Sequence, residues 1–356
     1  MAVGWQSVQI VKIQPPQEGE ISLAVVGDVM LGRRVGDAIN REGGGDYRYP
    51  FRHVRSYLRE ADIAVANLES PVSDRGEPIA KRIVFRVPSR AIPALVDAGF
   101  DVASVANNHV LDYGPAAAED TGRLLSDAGI RWGALVPAEA KQEPVMLTVR
   151  GIRVGFLFYC DPSYIYSCAP EYRQFAVRPP FATEETLVRD IRELKTKADI
   201  LVVSIHWGTE YQHVRPESQT ISRARWIIDQ GADILIGHHP HVQHGVEIYK
   251  RGVIFYSLGN FVFDQSVPVR RVSRLYRVTA GTDGVRNVAV LPLEIRFDTW
   301  EPVPITSGYV GLDADTAHRR SALAGTSPPW RVWMPKFWRR DYWLSGSRAG
   351  GDRGRR

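Results

Sequence analysis

The chain is poor in sulfur and has no long apolar run. Its 356 residues include two cysteines, Cys160 and Cys168, and four methionines. Two cysteines are too few for a disulfide framework, and their spacing is not Cys-x-x-Cys, so free thiols are expected. No stretch approaches 18 apolar residues, and residues 1–20 lack the apolar centre of a signal peptide. A cytoplasmic protein without a transmembrane segment is the expectation. No internal repeat is evident.

A charge imbalance is missing from most of the chain as well. Of the net +5, residues Trp330 to Arg356 carry +6, with eight Lys or Arg against Asp341 and Asp352, leaving −1 for everything before them. A near-neutral body with no fold-level reader makes nucleic acid an unexpected partner. The same tail holds Trp330, Trp333, Trp338 and Trp343, four of nine tryptophans. Aromatic rings beside Arg and Lys suit peripheral contact with an anionic membrane, and equally an arm docked on its own domain. Small residues and two prolines in Ala322 to Pro329 mark the boundary. The expected division is an extension over 1–20, one domain over 21–321 and a basic, Trp-rich tail over 322–356. With 44% apolar residues, that domain can bury a substantial core. Its oligomeric state is left open.

What is present is a repeated pattern of apolar runs ending in polar residues. Ile21–Val26 leads into Gly27-Asp28-Val29-Met30, and Asp62–Ala66 into Asn67-Leu68-Glu69. Asp101–Ala106 leads into Asn107-Asn108-His109, Asp199–Ile205 into His206-Trp207-Gly208, and Ala232–Ile236 into Gly237-His238-His239-Pro240-His241. Continuous apolar runs of this length read as strands buried on both faces. Helix-like stretches, Pro115 to Asp127, Thr183 to Lys197 and Glu217 to Gln230, lie between them. Alternation of this kind predicts an α/β protein with a largely parallel sheet. Ligands then bind beyond the carboxyl ends of the strands, where all five polar endings converge.

Those endings have the chemistry of a metal site. His238, His239, His241 and His244 fall within seven residues, and neutral imidazole is a common ligand for zinc, manganese and iron. Arg33 and Arg34 follow Asp28 closely and can meet a phosphate or carboxylate through paired N–H groups. Trp207 is expected to pack between layers. In the irregular stretch from Cys160 to Pro180, Asp161 and Tyr164 are candidates for a lid.

In order, Gly27-Asp28-Val29-Met30, Asn67-Leu68-Glu69, Asn107-Asn108-His109-Val110-Leu111-Asp112-Tyr113-Gly114, His206-Trp207-Gly208-Thr209-Glu210-Tyr211, His239-Pro240-His241-Val242-Gln243 and Tyr256-Ser257-Leu258-Gly259-Asn260-Phe261 resemble the CapA family. That is the capsule-synthesis (poly-γ-glutamate) family, itself similar to calcineurin-like metallophosphatases. The likeness runs from about Ser22 to Asp264. It implies a four-layer α/β/β/α sandwich of the metallophosphatase type, with one or two divalent transition-metal ions (Mn, Fe or Zn) at the strand ends.

Carried over residue by residue, the resemblance implies Asp28, Glu69, Asn108, His206, His239 and His241 as metal ligands. His109 becomes the candidate general acid, with Asp112 orienting its ring. Arg33, Asn67, Glu210, Gln243 and Asn260 are placed against the substrate or behind the ligands. Two departures stand out: Met30 occupies the position of a ligand histidine, and the bridging Asp has no equivalent unless Glu69 takes its role. The implied activity is metal-dependent hydrolysis of a phosphoester or of a cell-envelope polymer intermediate. A γ-glutamyl amide is a second substrate for the same chemistry, and a non-catalytic binding subunit of a polymer synthase is the rival.

Overall fold

Strand β1 (Glu20–Val29) is buried along all but its first residue, because neighbours cover both of its edges and both of its faces. Parallel to it run β2 (Ile63–Leu68), β3 (Val102–Ser104) and β4 (Arg131–Gly133). The short β5 (Val136–Pro137) pairs apart from both main sheets. The second sheet is assembled from β6 (Val145–Val149), β7 (Ile152–Cys160), β9 (Ile200–His206), β10 (Ile234–His238), β11 (Val246–Tyr249) and β12 (Gly252–Phe255), with β8 (Val177–Arg178) serving as partner to β5. The chain then returns to the first sheet through β13 (Asn260–Val262), β14 (Val272–Gly281), β15 (Gly284–Ile295), β16 (Pro302–Pro304) and β17 (Val310–Leu312). This is a computed structural model, and it describes residues 10–312 apart from 139, 165–167, 169 and 213–214.

The first sheet has nine strands and the second six. A single, largely parallel sheet is therefore corrected to two mixed sheets. Each has a parallel run (β1-β2-β3-β4 and β7-β9-β10-β12), and hairpins add antiparallel strands at one edge of the first sheet and at both edges of the second. Alternate side chains of β1 show how the layers are glued. Ile21, Leu23 and Val25 face the second sheet and pack with Val154, Phe156, Val202 and Ile234. Ala24 and Val26 point the other way, into a core shared with α1 (Arg33–Gly43), α2 (Arg55–Arg59), α3 (Ile92–Ala98) and α4 (Gly114–Asp127). The far side of the second sheet buries Leu201, Val203 and Leu235 under α5 (Glu184–Lys195) and α6 (Ser218–Gln230). The result is the four-layer α/β/β/α order. Among the described residues, no helix is long and apolar enough to cross a membrane.

The predicted helices appear as α4, α5 and α6, within a few residues of their expected ends. Trp207 is fully buried, its indole N–H bonded to Tyr256 O at 3.0 Å, as a packing residue should be. Residues 10 and 11 of the expected N-terminal extension are tied to the domain: Ile10 bridges Val310, and Val11 N–H donates to Tyr309 O at 2.8 Å. The expected boundary at 321 and the tail with Trp330, Trp333, Trp338 and Trp343 lie outside the described residues.

Two expectations for the stretch after β7 are overturned. Cys160 and Cys168 form a disulfide, because the chain folds back and brings their Cα atoms to 5.5 Å. Asp161 and Tyr164 do not form a lid; both are anchored to α6. Asp161 pairs with Arg223 at 2.8 Å, and Tyr164 Oη bonds Thr220 at 2.5 Å.

Glycine is required where the strands approach the site. A Cβ on Gly237 would lie 2.2 Å from Tyr256 O and 2.6 Å from the Trp207 indole nitrogen, and neither neighbour can retreat from the buried sheet. Gly237→Ala is expected to cost at least about 3 kcal/mol, the upper end for overpacking. Urea unfolding reads this directly, and a loss under about 1 kcal/mol would show that β10 yields.

Candidate functional site

The ends of the two sheets meet in register. Asp28, the second-last residue of β1, lies opposite Asn67 of β2 and Asn260 of β13, with register irregularities beside it. In the second sheet His206 closes β9 and sits opposite His238, which closes β10. His239 (φ 96°) and His241 (φ 56°) then turn in left-handed backbone, strain that concentrates at functional sites.

One donor atom from each of Asp28, Glu69 and His241 lies within 4.8 Å of the others. Glu69 Oε1 is 3.6 Å from His241 Nε2 and 3.9 Å from His206 Nε2. His206 Nε2 lies 3.0 Å from both Asn108 Oδ1 and His239 Nδ1. The six expected ligands therefore converge in two groups, Asp28 with His241 and Asn108 with His206 and His239, and Glu69 stands between them. All six are buried. Met30 takes no part: its sulfur accepts the Gly32 N–H at 3.1 Å.

Unpaired atoms say what this arrangement is for. Asp28 Oδ2, Glu69 Oε1 and His239 Nε2 are buried without a hydrogen bond. Leaving buried carboxylate oxygens unpaired is costly, and a cation between them removes the cost. Burial, and next the Asp28 charge, push the Glu69 carboxyl well above its usual range. At Asp28 burial acts upward too, but the His238 hydrogen bond and the close His238 and His241 rings outweigh it and hold the carboxyl well below. Burial also holds the His206 and His239 rings well below their usual range, so they rest in the neutral, ligating form.

A pH dependence follows. Raised above its usual range, Glu69 keeps its proton until the pH passes its folded pKa, and a cation must displace that proton. Manganese affinity of the metal-free protein is expected to rise about tenfold per pH unit below that point. Calorimetric titration across the neutral range checks it, and a flat profile would mean that Glu69 is already ionised.

Beside this cluster, His109 Nδ1 lies 2.5 Å from Asp112 Oδ2, the predicted orienting contact. Asp112 also accepts Lys81 Nζ and the Phe85 N–H, each at 2.7 Å. Burial pushes Asp112 up to about 6, against the pull of Lys81. Burial, then the Lys81 charge, hold the His109 imidazole well below its usual range, so the ring is neutral at rest. Phe85 stacks on it with centroids 3.8 Å apart.

The residues placed behind the ligands divide. Asn67 donates to Asp28 Oδ1 at 2.9 Å and to Glu69 Oε2 at 3.3 Å, and Asn260 Oδ1 holds His241 Nδ1 at 2.9 Å. Arg33 reaches the mouth, over Phe85 and 3.1 Å from Asp264. Gln243 does not face the site: it turns its amide to Leu258 O, which ties 242–244 to the β12–β13 turn. Nor does Glu210 support a histidine. It sits half-buried in a turn shaped by Gly208 (φ 87°) and Tyr211 (φ 64°) and acts on Glu69 through charge alone. Lys81, Phe85 and Tyr172, whose hydroxyl donates to Asn108 O at 2.7 Å, were not anticipated. Lys81 and Phe85 come from an irregular segment and Tyr172 from the short 3₁₀ helix Pro170–Gln174, and neither is long enough in any period to flag them. His238, bonded to Asp28 at 3.0 Å, was visible only as one of the clustered histidines.

Residues 22–265 match the family model described as "Bacterial capsule synthesis protein PGA_cap". The chain belongs to this capsule-synthesis family. Two members resemble it over most of their length. The "Capsule biosynthesis protein CapA" of Bacillus anthracis is 32% identical over 320 residues, 87% of this chain and 75% of that one. The "PGA biosynthesis protein CapA" of Bacillus subtilis is 33% identical over 296 residues, 82% and 76% of the two chains. Among solved structures, one titled as a novel phosphatase, from Mycoplasma pneumoniae, superposes with a TM-score of 0.49 at 13% identity, covering 78% of this chain and 95% of that one. All six sequence blocks quoted above for the capsule-synthesis family fall inside the matched range; five carry the candidate ligands and His109, and the sixth carries Asn260, which holds the His241 ring.

Proposed function

We propose that this member of the capsule-synthesis family is a metal-dependent hydrolase acting in the assembly of a capsular, poly-γ-glutamate-type polymer, on a phosphoester or an anionic polymer intermediate. The observation that carries the reading is Glu69, a buried carboxylate with one unpaired oxygen set between two groups of neutral or hydrogen-bonded ligands. Asp28, Glu69 and His241 would hold one divalent cation, and Asn108, His206 and His239 a second, with Glu69 shared. Such a cation supplies Lewis acidity toward a phosphoryl or carbonyl oxygen. His109 handles the proton. Neutral at rest, with Nδ1 fixed by Asp112, it takes a proton from the attacking water at Nε2 and returns it to the leaving oxygen. Lys81 and Phe85 hold the Asp112 carboxylate and the imidazole in one orientation. Phe85, Phe263 and Tyr211 pack on His109 and His241 and give the cluster an aromatic wall.

The names of the two Bacillus relatives supply the polymer, and the donor set supplies the chemistry. Metal content of the purified protein, compared with the His239→Ala/His241→Ala double variant, tests the centre. Transition metal bound by the wild type and lost from the variant supports it, after which phosphomonoesters, phosphodiesters and γ-glutamyl peptides are screened for turnover. Absence of metal after reconstitution with manganese and zinc would sink the hydrolase and leave a binding subunit of the polymer synthase as the function.

A further inference from the structure

Two of the site histidines are backed by the same three-part stack. On one flank His109 lies against Phe85, and the Arg33 guanidinium sits over that ring, 5.2 Å from its centroid. On the other, His241 lies against Tyr211 with centroids 5.9 Å apart, and the Arg270 guanidinium covers Tyr211 at 3.4 Å. Phe263 joins the two flanks, 5.7 Å from Phe85 and 4.7 Å from His241. Arg270 is linked to His241 a second time, since Asn260 donates to Arg270 O at 2.9 Å while its Oδ1 holds the His241 ring. Both arginines thus rest on rings that pack against the site histidines.

The charge count at this mouth is unbalanced. Arg33 and Arg34 share one carboxylate, Asp264 Oδ2, at 3.1 and 3.3 Å. Arg270 makes no ion pair among the described residues; its side chain meets the neutral Gln265 at 3.1 Å, and its Nε has no partner. Arg33 and Arg34 therefore share one buried acid while Arg270 has none among the described residues, and half-buried Glu210 is the acidic neighbour of Tyr211. An arginine seated on an aromatic ring keeps its charge while losing little entropy on taking up a carboxylate or phosphate.

We propose that Arg270, seated on Tyr211, is a second anion subsite alongside that of Arg33, so that the site takes a ligand bearing more than one negative group. This deepens the hydrolase reading and rests on it. The class is an oligomeric anion, with carboxylates or phosphates at regular spacing, rather than a small monoester. A lone phosphate would meet the metal centre and one arginine at most; an oligomer would meet both.

Calorimetric titration of the manganese-loaded full chain with inorganic phosphate, tripolyphosphate and a γ-linked glutamate tetramer tests this. The wild type is expected to bind at least one of the two oligomers about tenfold tighter than phosphate, and the oligomer that gains identifies the anion as carboxylate or phosphate. Arg270→Gln should erase the gain while leaving phosphate affinity within about twofold, and Arg270→Lys, which keeps the charge, should retain part of it. Equal oligomer affinity in wild type and Arg270→Gln, with metal content unchanged, would overturn the subsite alone. A wild type without bound metal would overturn the centre on which it rests.

Discussion

Glu69→Gln is expected to strip the protein of metal. The amide has nearly the shape of the acid but cannot supply the charge that both ligand groups share. Losing a hydrogen-bond partner behind a ligand costs roughly 10–100-fold in metal affinity, so losing the shared ligand itself should cost at least about 100-fold. The same variant should leave the metal-free protein almost untouched. Burial and the Asp28 charge push the Glu69 carboxyl well above its usual range there, toward the neutral form that the amide imitates. Metal content by mass spectrometry and melting of the metal-free forms separate the two effects. Full metal occupancy in Glu69→Gln would remove Glu69 from the centre, and a collapse of metal-free stability would show that its role is structural.

Removal of the His109 imidazole should have the opposite profile. His109→Ala keeps all six ligands, so metal content should match the wild type. Turnover should fall roughly 10²–10⁴-fold, the usual contribution of a positioned proton carrier. Asp112→Asn should fall less, because Lys81 and Phe85 still hold the segment and only the fixed orientation of the ring is lost. Initial rates on a chromogenic phosphoester with manganese bound provide the measurement. An undiminished rate in His109→Ala would transfer the proton chemistry to another group.

Much of this site was legible because the sheets reduce ligand placement to a question of strand ends. Asp28, Glu69, Asn108, His206, His239 and His241 each follow an uninterrupted apolar run, and a buried parallel strand has one carboxyl end. Neighbouring positions were less legible where a turn decides side-chain direction. Gln243 and Glu210 lie two and four residues from the candidate ligands His241 and His206, yet left-handed backbone at His241 and Gly208 turns the chain between them. Residues 71–88 have no periodicity, so nothing marked Lys81 or Phe85 as neighbours of His109. The disulfide escaped for a related reason: an eight-residue spacing says nothing about the path of a loop until the fold closes it. Two sheets rather than one were implied by family resemblance alone, since strand patterns do not reveal which strands share hydrogen bonds.

The left-handed backbone at His239 and His241 bears on how such a chain ages over generations. Glycine adopts these angles without strain, so a replacement that destroys the ligand also relaxes the turn and offsets part of the cavity it leaves. Inheritance of the scaffold is thereby uncoupled from inheritance of the chemistry. A lineage that no longer needs the candidate centre can exchange either histidine for glycine, and the relaxed turn then returns part of the stability lost with the ring.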